Sequence, residues 1–324
     1  MKCYYIRAAD GRTVLEPREV PDPKPNRGEL LVRVRAASLN RGELLARIRL
    51  HSADVPHPGG GDCAGEVEAV GEAVTGFRVG DRVLARGRGT FAERATIAAE
   101  QAAPVPGNLT WEEAAAIPIV GVTTWETLCQ YGRLEAGETV LVVGASSGVG
   151  VIAVQAGKYL GARVIGVSRS AEKLDALKGL GLDVGIQASG SAFADAVLEA
   201  TGGKGVDLAA DLVGGTAFAG CLRCLAPHGR LGIVGYVDRQ LTAEIDLEAV
   251  HGKRLQIYGV SNLTLTPAQR AEAMRGFVRD LLPGFADGRI VSLVDRVFPF
   301  DELPAAKAYV ESDAQLGKVV VVMA

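Results

Sequence analysis

Val140-Leu141-Val142-Val143-Gly144-Ala145-Ser146-Ser147-Gly148-Val149-Gly150 is the stretch that decides how this chain folds. Four aliphatic residues run into a Gly/Ser turn, and the apolar periodicity that follows, Val149–Leu160, is that of a helix. A strand turning tightly into a helix aims backbone N–H groups at one point. The helix dipole makes that point favourable for a phosphate. Glycine permits the turn, and Gly150 is expected to let a pyrophosphate approach the backbone closely. The spacing Gly144-x3-Gly148-x-Gly150 is one residue longer than the G-x-G-x-x-G dinucleotide fingerprint, so the surroundings must carry the reading.

They do. Thr139–Val143, Arg163–Val167, Val184–Ile186, Val206–Ala210 and Leu231–Val234 are strand-like, and between them lie helical stretches at Val149–Leu160, Ala171–Leu180, Ala192–Ala200 and Phe218–Leu225. Apolar strands separated by amphipathic helices make βαβ units, hence a parallel sheet covered on both faces. The expected fold class is α/β, with a doubly wound dinucleotide-binding domain over residues 121–260. Residues 1–120 read differently, with short strands at Leu30–Arg35, Ala64–Val70 and Asp81–Ala85 and one helix, Arg41 to Leu50, for which Asn40 is a plausible N-cap. Residues 261–324 hold a helix from Pro267 to Leu281, an extended run Ile290–Phe298, a helix Leu303–Val310 and a strand Lys318–Val322. Too short for a domain, this tail is expected to return to the first one.

Composition bounds the function. The 324 residues carry 35 Lys+Arg against 38 Asp+Glu, a formal charge of −3, which argues against a dedicated nucleic-acid binder. The 41 glycines exceed the roughly 23 of average usage, as turn-rich α/β nucleotide folds require. No run approaches the roughly 20 apolar residues of a membrane span, and the N-terminus lacks a secretory apolar core, so a cytoplasmic location is expected. The five cysteines fit reduced thiols. The pair Cys221-x-x-Cys224 has no second pair or His pair nearby and reads as core.

Two rivals compete for the glycine turn. Gly144-x-Ser146-x-Gly148 also spells the nucleophile elbow of an α/β-hydrolase, and His57-Pro58-Gly59-Gly60-Gly61 resembles an esterase oxyanion loop. That reading needs a late triad His, and neither His228 nor His251 is marked as one. A short-chain dehydrogenase needs a Tyr-x3-Lys pair, which the chain does not contain.

With these residues in view, the whole chain resembles the medium-chain dehydrogenase/reductase superfamily, most of all its zinc-independent quinone oxidoreductase and enoyl reductase branch. The resemblance rests on Ser38-Leu39-Asn40-Arg41-Gly42-Glu43, Gly60-Gly61-Asp62-Cys63-Ala64-Gly65, Gly80-Asp81-Arg82-Val83, Gly121-Val122-Thr123-Thr124-Trp125, Gly144 to Gly150, Asp207 to Gly215 and Gly317-Lys318-Val319-Val320. It implies a GroES-like β domain built from both chain ends, a Rossmann domain inserted between them, and a homodimer through Rossmann edges. Where zinc members carry their metal ligands, this chain has Asn40, Gly61-Asp62 and Ile119-Val120, which cannot complete a catalytic zinc site. The resemblance therefore implies hydride transfer without metal to a quinone or an activated C=C.

By the same resemblance the cofactor lies on Gly144, Ala145, Ser146, Ser147, Gly148, Val149 and Gly150, with Val213, Gly214 and Gly235 bordering the ring and Lys318 among the cofactor-binding residues. Asn40 and Thr123 line the nicotinamide end, although Asn40 also reads as a helix cap and Thr123 as a buried hydroxyl. No residue declares itself a general acid; His51, His57 and Tyr236 are the candidates. The second strand ends in Ser168-Arg169-Ser170 with Lys173 a turn later, and no carboxylate occupies the ribose position. This predicts NADPH rather than NADH. Arg86-Gly87-Arg88-Gly89 reads as a solvated turn, or as an attractor for an anionic thioester acceptor. The alternatives are thus a trans-acting enoyl-thioester reductase and a non-catalytic NADPH-binding interaction protein.

Overall fold

Leu30, Val32 and Val34 are buried while Arg33 between them is exposed, the alternation of a strand with one face on a core. In the computed structural model, which describes residues 1–9, 12–44 and 55–323, this segment is central to the first of two units. The first unit comprises Met1–Val120, Leu265–Arg279 and Ser292–Ala324; the second comprises Gly121–Thr264 and Asp280–Val291.

The chain opens with β1 (Lys2–Ala9), β2 (Arg12–Glu19) and β3 (Glu29–Ser38), then α1, described over Arg41–Leu44. The rest of the helix expected to Leu50, and His51 after it, lie outside the described residues. Next come β4 (His57–Pro58), β5 (Asp62–Val70), β6 (Arg82–Arg86), β7 (Arg94–Ala98) and β8 (Ala102–Pro104). A short helix that sequence reading overlooked, α2 (Trp111–Ala115), follows a complete capping box: Thr110 Oγ1 accepts from Glu113 N while the Glu113 carboxylate accepts from Thr110 N. Helix α3 (Pro118–Trp125) then widens into a π turn over Glu126–Gln130.

The second unit runs β9 (Thr139–Val143), α4 (Gly148–Tyr159), β10 (Arg163–Ser168), α5 (Ala171–Lys178), β11 (Val184–Gln187), α6 (Ala194–Ala200), β12 (Val206–Asp211), α7 (Gly215–Arg223), β13 (Leu225–Ile233), α8 (Leu247–Lys253) and β14 (Gln256–Gly259). All six strands are parallel, in the order β11-β10-β9-β12-β13-β14. This is a doubly wound sheet in which the order of strand addition reverses between β9 and β12. Cys221 and Cys224 are buried in its core, and burial pushes the Cys224 thiol up to about 12, so the core reading of this pair fits.

The tail is α9 (Pro267–Asp280), α10 (Leu282–Ala286), β15 (Val294–Pro299), α11 (Leu303–Glu311) and β16 (Lys318–Val322). It does not return to the first unit as one piece. Asp280–Val291 stays with the second, where Asp280 accepts from Trp125 Nε1 at 2.7 Å and Val291 exchanges hydrogen bonds with the Gln155 amide. These buried polar groups would otherwise lack partners. Among the described residues no helix is long and apolar enough to cross a membrane.

One convergence in the first unit positions the chemistry. β16 runs antiparallel to β3, pairing Val320 with Ser38, and β5 flanks β3 on the other side, pairing Asp62 with Ser38. The C-terminal end of β3 and the first residues of β5 and β16 therefore meet.

Candidate active site

The turn after β9 is built by its own hydrogen bonds. Gly144 takes φ +88°, a left-handed conformation that favours glycine, and the Gly144 and Ala145 N–H groups both donate to Val167 O. Ser147 caps α4: its hydroxyl accepts from Gly150 N at 3.1 Å and donates to Gly144 O at 2.8 Å. Gly148 and Val149 open the helix. A Cβ on Gly150 would lie 2.3 Å from Gly144 O and 2.7 Å from the Ala145 carbonyl. The turn itself therefore requires glycine at this position, apart from any approach of a pyrophosphate.

Ser146 Oγ lies 3.0 Å from Ser168 Oγ, tying the turn to the end of β10. Its partner is a hydroxyl rather than an imidazole, which removes the hydrolase reading. Beyond Ser168, Arg169 is exposed and its carbonyl accepts from Gln187 Nε2, while Ser170 caps α5 by accepting from Lys173 N. Arg169 and Lys173 thus stand at the carboxyl edge of the sheet, with no carboxylate in Ser168-Arg169-Ser170.

The loops after β12 and β13 are joined by Asp211, a residue whose role sequence reading did not single out. Its Oδ1 accepts from Val213 N at 2.8 Å and Gly214 N at 3.0 Å, and its carbonyl accepts from Val234 N and Gly235 N. Burial pushes its carboxyl up to about 6. Gly214 has φ +123° and no room for a Cβ, which would sit 2.3 Å from Asp238 Oδ1. Val213-Gly214 and Gly235-Tyr236 are brought side by side, with Tyr236 half-buried. Thr123, also in the second unit, is buried and accepts from Asn262 Nδ2 at 3.0 Å.

In the first unit the meeting of β3, β5 and β16 buries a charged group. Asn40 Nδ2 donates to Glu43 Oε1 at 2.7 Å and to Asp62 Oδ2 at 2.9 Å, and Asn40 Oδ1 accepts from Lys318 Nζ at 2.7 Å. Asp62 also accepts from Ser38 Oγ and Ile119 N, and its Oδ2 is 3.6 Å from the ammonium. Lys318 further donates to Leu39 O at 3.0 Å. Only 6% exposed, the lysine spends its donors inside the unit, so its expected hold on the cofactor is corrected to an orienting one on Asn40. Arg86 is buried in β6 in register with Asp62, so of the expected solvated turn only Arg88 is exposed. His57 is exposed on β4, with Nδ1 3.2 Å from Pro58 O.

Known proteins share this architecture. The alcohol dehydrogenase GroES-like domain family matches residues 26–107, and the zinc-binding dehydrogenase family matches residues 148–279. A quinone oxidoreductase from Pseudomonas aeruginosa is 37% identical over 244 residues, 74% of this chain and 75% of that one. The chain is a medium-chain dehydrogenase/reductase. It belongs to the quinone oxidoreductase and enoyl reductase branch. A solved structure of a mycobacterial protein complexed with NADPH superposes with a TM-score of 0.89, at 30% identity over 99% of this chain and 100% of that one. A phenolphthiocerol/phthiocerol polyketide synthase of Mycobacterium tuberculosis is 33% identical over 95% of this chain, which spans only 14% of that much longer protein.

The zinc in one family's name can be tested against this dehydrogenase/reductase's own residues. Where zinc members place a histidine, Gly61 stands, and a Cβ there would lie 2.7 Å from Ile119 Cδ1 and 3.1 Å from Glu43 Oε1. The Asp62 carboxylate is already held by Ser38 Oγ, Asn40 Nδ2 and Ile119 N, and the Lys318 ammonium supplies the local positive charge. The set does not fit a tetrahedral zinc with three side-chain ligands.

Proposed function

We propose that this protein is an NADPH-dependent oxidoreductase that reduces a quinone or an activated C=C without a metal. The observation that carries the reading is the end of β10, where Arg169 and Lys173 replace the carboxylate that would hold a ribose hydroxyl. The NADPH complex of the mycobacterial relative supports it. Bound NADPH supplies hydride from its nicotinamide. This chain's residues do the rest. The Gly144–Gly150 turn and the first turn of α4 take the pyrophosphate. Ser168, Arg169 and Lys173 take the 2′-phosphate. Val213, Gly214, Gly235 and Thr123 confine the ring, and Asn40 is kept in one orientation by Glu43, Asp62 and Lys318 within its own unit.

Arg169→Ala is expected to weaken NADPH binding by about 10–150-fold, the worth of a charge-assisted hydrogen bond of roughly 1.5–3 kcal/mol, and to leave NADH binding unchanged. Fluorescence titration with both cofactors at low and high salt checks it, the loss being steeper at low salt. Equal losses for both cofactors would reject the assignment. NADPH oxidation across a panel of quinones and enones should find turnover in protein whose elemental analysis shows no stoichiometric zinc. Tight NADPH binding without turnover would favour an interaction protein instead.

The match to a polyketide synthase over 95% of this chain favours one second reading, a thioester-linked enoyl acceptor. Acyl-thioesters in the same panel distinguish it. For the working assembly we infer a homodimer in the cytoplasm. β14 closes one edge of the six-stranded sheet and so presents a ladder that a second copy can extend, and the described cysteines are free thiols.

A further inference from the structure

We propose that Asp211 is the positioning residue of the nicotinamide site, a single side chain that sets both loops bordering the ring. The inference rests on the reading that Val213, Gly214 and Gly235 confine the ring, and every residue it uses lies in the second unit. β12 and β13 pair Asp211 with Ile233, so the two chains leave the sheet side by side. The Asp211 carbonyl accepts from Val234 N at 2.9 Å and Gly235 N at 3.2 Å. Its Oδ1 accepts from Val213 N and Gly214 N and curls the other loop back onto the strand. Four N–H groups from two loops thus converge on one residue.

The two loops are packed without slack. A Cβ on Gly235 would lie 2.6 Å from Leu212 O, and one on Gly214 would lie 2.3 Å from Asp238 Oδ1. Asp238 N donates in turn to Val213 O, while Asp238 Oδ2 accepts from Thr216 N and Thr216 Oγ1. Of the two acceptors on Asp211, only Oδ1 changes strength with charge, because a hydrogen bond to an ionised carboxylate is about twice as strong as a neutral one.

That charge is conditional. Asp211 Oδ2 is buried and has no partner among the described residues, so a proton has a place to sit. Against Asp211 stand Val143 of β9, Ile233 of β13, the Cys221 thiol of α7 and the Asp238 carboxylate, none of them a cation. Burial pushes the carboxyl up to about 6, against the pull of the two N–H groups. The clamp is therefore charged at neutral pH and neutral in mild acid, where Val213 and Gly214 are held less firmly. The fold does not suffer from this proton. A raised carboxyl binds it more tightly folded than unfolded, so stability from Asp211 is full below its ordinary 3.8 and is lost as pH rises through 6.

The test compares NADPH with 2′-phospho-ADP-ribose, which is NADPH without its nicotinamide. Both carry the 2′-phosphate, which itself titrates at about 6, so the ratio of their affinities isolates the ring. In the wild-type protein this ratio should favour NADPH at pH 7.5 and shrink about 10-fold by pH 5, with a midpoint of about 6. Asp211→Asn keeps the Oδ1 acceptor without the charge. It should show the smaller ratio at both pH values while binding the fragment as the wild type does. A wild-type ratio that does not move with pH, or an Asp211→Asn ratio equal to wild type at pH 7.5, would overturn the proposal. Parallel loss of both ligands in the variant would also overturn it, since Asp211 would then support only the fold of the unit. If Asp211→Asn does not fold, the wild-type pH series decides alone. Wild-type protein that binds NADPH no more tightly than the fragment at pH 7.5 would instead defeat the reading that these loops confine the ring, and the positioning role with it.

Discussion

Gly150→Ala is expected to lose NADPH binding and to destabilise the nucleotide unit by at least about 3 kcal/mol, at or above the upper end for overpacking a well-filled site. The added methyl would meet backbone on both sides, Gly144 O at 2.3 Å and the Ala145 carbonyl at 2.7 Å, and backbone cannot rotate away as a side-chain end can. Relief requires α4 to lift from the turn, which breaks the Gly150 N to Ser147 Oγ cap and the Gly144 geometry together. At roughly 2–4 °C per kcal/mol, calorimetry should show a fall of about 6–12 °C for this unit. Ser147→Ala sets the scale: losing one cap costs about 1 kcal/mol and leaves the backbone path intact. A Gly150→Ala protein with native melting and normal NADPH affinity would mean that the turn is misplaced.

Lys318→Met should cost about 3–5 kcal/mol, because it removes the ammonium from a buried group and leaves the Asp62 carboxylate and the Asn40 carbonyl uncompensated. The sign of its pH dependence follows from Glu43. That carboxyl titrates near 8 in the folded protein against about 4.5 when unfolded, so the native state holds more protons between these values. Wild-type stability is therefore fullest below about pH 4.5 from this group and is lost as pH rises through 8. Without Lys318 the folded carboxyl is pushed higher still, so the same loss runs on to higher pH, since the ammonium no longer offsets the charge that forms. Denaturant unfolding at pH 5 and 8.5 should find Lys318→Met most destabilised at the higher pH. A loss that is small, or larger in acid, would show that the lysine is not what balances the two carboxylates.

Local chemistry made much of this protein legible in its residue order. The strand–turn–helix at Val140 to Gly150, the alternation of βαβ units after Gly121 and the bare ribose position at Ser168-Arg169-Ser170 are short-range patterns, each set by backbone geometry or charge within about one turn. The sequence by itself thus determined the doubly wound domain, the family and the preference expected for NADPH. What it could not decide were matters of contact between distant segments. Ser38, Asn40, Glu43, Asp62, Ile119 and Lys318 span 280 positions, and only the antiparallel pairing of β16 and β5 with β3 packs them into one buried group. For that reason Lys318 read as a cofactor ligand, and Glu43 only as part of the Ser38–Glu43 stretch that carries the family resemblance. Gly150 likewise read as an opening for phosphate, and only the folded turn shows that the Gly144 and Ala145 carbonyls exclude a side chain there as well. Burial and charge neutrality are properties of the assembled neighbourhood, and those two properties turn a carboxylate into an acid.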